Sequence, residues 1–243
     1  MWISVIAVVA VFLVSVFLMT DPLKPVVLPQ YYEELEGLIG QPVEKVCEVL
    51  EITKEQLGYN PVSYVGQTTL TAEYMDQPFA LTLYFGRDNG LLSGFRYLAT
   101  YDGVTEDTAA AAASVARQLW KNYGKGFQWE LKEDPKLLKD ITGEEVLAIH
   151  RKIFERTGDY MVTDTWNLTE GAADNVKSYL NQVEISDMWQ NMHGERAKLY
   201  EVSPRYYLRF SSAVDKETET TYIVLEYKTG WIPGQYSVMV TGN

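Results

Sequence analysis

Residues 69–101 read TLTAEYMDQPFALTLYFGRDNGLLSGFRYLATY, and their period decides the fold. Leu70, Ala72 and Tyr74 alternate with Thr69, Thr71 and Glu73; after Asp76-Gln77-Pro78, Phe79, Leu81, Leu83 and Phe85 alternate with Ala80, Thr82 and Tyr84. Successive side chains of a strand point to opposite faces, so apolar residues at every second position predict strands buried on one side. Asn89-Gly90 is a strong hairpin signal, because both residues tolerate the positive φ that a tight turn needs. Phe95, Tyr97, Ala99 and Tyr101 follow it. The stretch predicts a three-stranded meander with one apolar face.

Helices should precede and cover that face. YYEELEGLIG predicts a short helix stopped at Gly40, and QPVEKVCEVLEI restarts one with Pro42 at its first position and Val43, Val46, Cys47 and Leu50 on one side. Thr53-Lys54-Glu55-Gln56 fits a capping box ahead of Gly58. Two short helices with the LIGQPVEKVCEVL pattern and then a meander, over about residues 35–101, resemble one module of the β-lactamase-inhibitor-protein-like and outer-membrane-assembly-lipoprotein-like folds. The resemblance implies a non-catalytic, extracytoplasmic, protein-binding domain. It transfers no functional residue.

The second part opens with TEDTAAAAASVARQLWKNYG, a helix capped by Thr105 and closed by Gly124, with Ala109, Ala112, Ala113, Ala116, Leu119, Trp120 and Tyr123 in one stripe. Further expectations are a short strand near Phe127–Leu131 and a helix from the capping box at Thr142–Glu145 to about Arg156. Then come a strand in DYMVTDTWNL, a helix from Thr169 to about Val183 and a short one from Ser186 to His193. Strands over Lys198–Val202, Arg205–Ser212 and Thr220–Lys228 close the chain. The class is α+β: a module at 31–102 and a second α+β part at 103–243, in one domain or two closely packed ones meeting near Asp102-Gly103.

Residues 2–19 carry no charge and only two polar residues, Ser4 and Ser15, over a length of about 27 Å at ~1.5 Å per residue, which suits a bilayer core. No Lys or Arg precedes the run and no small-residue cleavage pair closes it, so an uncleaved anchor over residues 1–20 is favoured over a cleaved signal. Pro22, Pro25 and Pro29 predict a stiff tether over residues 21–30. With only Lys24 near the span, the expected topology, the large part outside the cytoplasm, rests on the common signal-anchor arrangement.

All 21 Lys and Arg and all 33 Asp and Glu lie beyond residue 20, so the net charge of −12 belongs to the part outside the span. Such a surface repels phosphate backbones, which excludes general nucleic-acid binding and leaves the membrane, a protein or a small molecule as partners. The single Cys47 permits no internal disulfide.

No known catalytic or metal motif appears, and no cofactor is implied. Cys47 lies on an apolar helix face between Val46 and Glu48, and His150 shares a face with Val146 and Ile153; both are expected to be structural, His150 as a half-buried residue. His193 falls at an expected helix end, before Gly194. The sequon Asn167-Leu168-Thr169 is better read as a helix cap at Thr169 than as a glycan site. The many Tyr and Trp residues alternate within strands, as packing requires.

One stretch stands out. In SPRYYLRFSS, Tyr206, Leu208 and Phe210 face the core, leaving Arg205, Tyr207 and Arg209 together on the other face as a candidate ligand-binding stripe. The competing reading sets Glu226 opposite the stripe, forming ordinary cross-strand pairs. The expected function is a membrane-anchored, non-enzymatic, extracytoplasmic binding or interaction domain. The alternative is a small envelope hydrolase using paired carboxylates, for which no pair is singled out.

Overall fold

The computed structural model describes residues 27–126, 138–155, 161–182 and 204–230. The expected span and most of the tether, the strand near Phe127–Leu131, the helix Ser186–His193 and the strand Lys198–Val202 lie outside those residues. No described helix is long and apolar enough to cross a membrane.

The meander forms as its alternation dictates. β1 (Val65–Tyr74), β2 (Gln77–Phe85) and β3 (Leu92–Asp102) pair antiparallel, with Ala72, Tyr74, Phe79, Leu81, Leu83, Phe85, Phe95, Tyr97 and Ala99 buried. It is one half of a larger sheet. β6 (Thr220–Gly230) pairs with β3 from Gly94↔Lys228 to Asp102↔Thr220, then with β5 (Arg205–Asp215), which pairs with β4 (Val162–Asn167). The order β1-β2-β3-β6-β5-β4 thus joins the first module and the second part in one antiparallel sheet of α+β class.

Helices cover its apolar face. From α1 (Tyr32–Gly37), the Tyr32 ring meets Tyr227 edge-on at 4.8 Å. α2 (Val43–Val49) turns Val43, Val46 and Cys47 inward, with Pro42 standing just before its first turn. α3 (Lys54–Leu57) has the expected capping box: Gln56 N–H donates to Thr53 Oγ1 at 3.1 Å, and Thr53 N–H to Gln56 Oε1 at 2.8 Å. Gly58 ends it at φ 59°, and Leu57 seats against Gly66, where a Cβ would come within 2.7 Å of its side chain.

The alanine stripe of α4 (Glu106–Tyr123) is wholly buried at Ala109, Ala112, Ala113 and Ala116. α5 (Gly143–Glu155) opens with the box expected at Thr142 and Glu145, and its Gly143 approaches so closely that a Cβ there would lie 3.1 Å from Ala110 Cα. Small residues on both helices permit that approach. A short 3₁₀ turn at Leu138–Asp140 leads in, and Arg117 Nη1 donates to Ile141 O at 2.7 Å to fasten it to α4.

Two expectations fail here. The helix placed at Thr169 begins only at α6 (Asp174–Leu180), with Ala173 at its N-cap. Thr169 is occupied elsewhere: its N–H and Oγ1–H both donate to Asn167 Oδ1, at 3.1 and 2.7 Å, while Tyr206 N–H donates to its Oγ1 at 3.0 Å. This local bonding of the side chains competes with the helix and delays it. His150, expected to be half-buried, is fully enclosed.

The tyrosines build the core, as their alternation implies. Phe95 stacks on Tyr227 at 5.2 Å, and Tyr97 meets Phe79, Phe95 and Tyr227 edge-on at 5.9–6.5 Å. Tyr32 donates to Glu36 Oε1 at 2.9 Å. Residues 27–30 are fastened to three elements: Asn122 Nδ2 donates to Val27 O at 2.8 Å, Tyr97 Oη to Gln30 O at 3.0 Å, and Gln30 exchanges two hydrogen bonds with the Glu73 backbone.

Candidate binding face

α1 meets the sheet through Tyr32 on Tyr227, α3 through Leu57 on Gly66, α4 through Tyr123 on Trp166 and α5 through His150 on Ser212, each on the Tyr97–Tyr227 side. On the other side, strand registers line up two rows. Thr82, Arg96, Glu226, Arg209 and Thr165 follow one another across β2, β3, β6, β5 and β4; beside them run Tyr84, Gly94, Lys228, Tyr207 and Asn167. The face is polarised. Arg96, Arg205, Arg209 and Lys228 gather towards Gly94 and Gly230, whereas Asp102 and Asp215 flank Thr220 at the far end.

The sequence brought Arg205, Tyr207 and Arg209 to this side, and the structure places them there. Tyr206, Leu208 and Phe210 are fully buried, while Arg205 and Arg209 are partly exposed. Tyr207 differs from a surface residue: it is only 4% exposed.

Glu226 stands opposite Arg209, as the hairpin between Asp215 and Thr220 requires. The expected ion pair does not follow. Among the described residues, Arg205 and Arg209 make no ion pair, and the charges around them turn towards β2. Gly94 is the reason. With no side chain between Tyr84 and Lys228, the Lys228 ammonium reaches 4.8 Å from the Tyr84 ring centroid, and the Arg96 guanidinium approaches the same ring at 5.9 Å. Arg96 Nη2 donates to Thr82 Oγ1 at 3.3 Å. Burial, and after it the charge of Glu226, pushes the Tyr84 phenol up to about 12. Glu226 is thus coupled across β3 to Tyr84.

The other chemical candidates lie inside the protein. Cys47 is buried, and burial raises its thiol pKa, the opposite of what a reactive thiolate needs. His150 Nε2 stands 3.1 Å from Ser212 Oγ, with both side chains sealed from solvent. Asp164, which sequence reasoning did not single out, points inward from β4; Thr165 N–H donates to its Oδ1 at 2.8 Å, and Oδ2 has no hydrogen-bond partner among the described residues. Burial pushes this carboxyl from the ordinary 3.8 to about 6. Its position shared the inward parity of Val162 and Trp166, the signal that could have found it. Glu36 is likewise raised, by burial first, but its partner is Tyr32 on its own helix. The described residues gather no group of three or more His, Cys, Asp or Glu side chains able to hold a metal. Where the N-terminal parts of α4 and α5 meet, a groove carries the exposed Glu106, Glu144 and Arg151 over Ala110 and Leu147, and among the described residues no buried unpartnered polar group is aimed into it.

The fold is α+β; among the described residues, helices pack on one side of the antiparallel sheet, and the other side carries the charged rows together with the buried Thr82, Thr165 and Tyr207. No protein-family model, no curated protein and no solved structure matches the chain.

Proposed function

We propose that the chain is a membrane-anchored, non-enzymatic binding or protein-interaction domain, held outside the cytoplasm by residues 2–19 and the Pro-rich tether, and that its outer sheet face is the binding surface. One observation carries the reading: in a chain of net charge −12, four cations gather on one end of this face, and none of the four makes an ion pair among the described residues. A half-buried arginine that closes no ion pair gives up hydration for little return, and a bound partner would supply the return. The resemblance of residues 35–101 to protein-binding envelope modules points the same way.

A photoreactive residue placed at Ser211, partly exposed on the outer face, tests the surface against one at Glu48, exposed on α2. In native membranes, a discrete adduct is expected from the first position and not from the second. Equal adducts from both, or none from Ser211, defeat the reading. Intact mass of the natively expressed protein tests the anchor: a mature start between Ser15 and Val26 rules it out.

A further inference from the structure

Resting on that reading, we infer that Arg205 and Arg209 bind carboxylates of a short acidic segment, in extended form, on a partner protein. The two residues lie four apart on β5, so their side chains leave the sheet on the same side from Cα positions about 13 Å apart at ~3.3 Å per residue. Carboxylates four residues apart on an extended chain have the same separation. Each guanidinium offers a planar fork that a carboxylate fills with two parallel hydrogen bonds.

The neighbours decide between ligand classes. Stacking of a sugar ring needs an open aromatic face, but Tyr207 is buried and the Tyr84 ring is already covered by Lys228. Long polyanions meet a second obstacle. They would run beyond the cationic end on to Asp102 and Asp215, and into the field of a protein of charge −12. A short segment avoids both, because charges beyond a Debye length of about 8 Å at physiological salt are screened.

The test uses the full chain and a short fluorescent peptide of alternating Glu and Ser, with linear polyphosphate as the competing probe. Saturable peptide binding is expected, weakened about tenfold or more by Arg205→Ala with Arg209→Ala, and weakened further by added salt. Replacing Lys45 and Lys54, whose ammonium groups pair with Glu48 and Glu44, should leave it unchanged. The paired Arg205→Lys and Arg209→Lys variant keeps the charge but loses the fork, so it should bind more weakly than the parent while unfolding at the same urea concentration. No peptide binding, binding indifferent to the arginines, or polyphosphate bound as tightly as the peptide overturns the inference. If the Ser211 adduct persists in any of those cases, the face still binds, and only its ligand chemistry was wrong.

Discussion

His150 on α5 and Ser212 on β5 meet at 3.1 Å in the core, and neither is open to solvent. An imidazole held there stays neutral, because burial depresses its pKa. The unfolded chain takes up this proton first, near the ordinary 6.5, so the site's contribution is complete above that pH and is lost as pH falls through the folded value. The urea midpoint should fall as pH is lowered from about 7 to about 5, and His150→Gln should remove that part of the fall. An unchanged slope in the variant would mean that the folded protein holds a charged His150.

Asp164 works in the opposite direction. Its carboxyl titrates at about 6 when folded and near 3.8 when unfolded, so its contribution is fully present below the lower value and lost as pH rises through the higher. Asp164→Asn should be the more stable protein above pH 6, by on the order of 3 kcal/mol, and show no advantage at pH 4. Because His150 and Asp164 oppose one another over neighbouring windows, the parent's profile should be flatter than either variant's, which urea titration of all three proteins would reveal.

Gly94 holds its place by closeness of backbone. A Cβ there would lie 2.5 Å from Tyr227 O and 2.9 Å from Lys228 Cα. Gly94→Ala should cost about 1–3 kcal/mol, a fall of several degrees in Tm, by forcing β3 and β6 apart. Calorimetry measures it; an unshifted Tm would show that the strands part freely.

Cys47 should label slowly with a thiol reagent in the native protein and quickly in urea, and Cys47→Ala should cost on the order of 1 kcal/mol. Native labelling as fast as that of the unfolded chain would place the thiol at the surface.

Much of the fold was legible wherever the cause is local. The alternation of Phe79, Leu81, Leu83 and Phe85, the caps at Thr53, Thr105 and Thr142, and the parity that turned Arg205 and Arg209 outward all depend on residues within a few positions. The pairing of β3 with β6 leaves no such trace, since neither strand alone records which neighbour it meets. The candidate face was half visible. The hairpin after Asp215 set Glu226 opposite Arg209, but that Lys228 and Arg96 converge on Tyr84 depends on Gly94 standing between them in space. Thr169 misled because a hydroxyl that can cap a helix can equally bond Asn167 and Tyr206.

The fastening of Val27 and Gln30 has a mechanical meaning. A pull on the N-terminal segment is delivered at once to Asn122 at the end of α4, to Glu73 on β1 and to Tyr97 on β3, so the load is shared among a helix and two strands. Tyr97 receives its share through a ring on the helix-covered side. Arg205 and Arg209, on the opposite side and two and more strands away, stand outside the path of the force, so a pull applied ahead of Val27 should leave their spacing undisturbed.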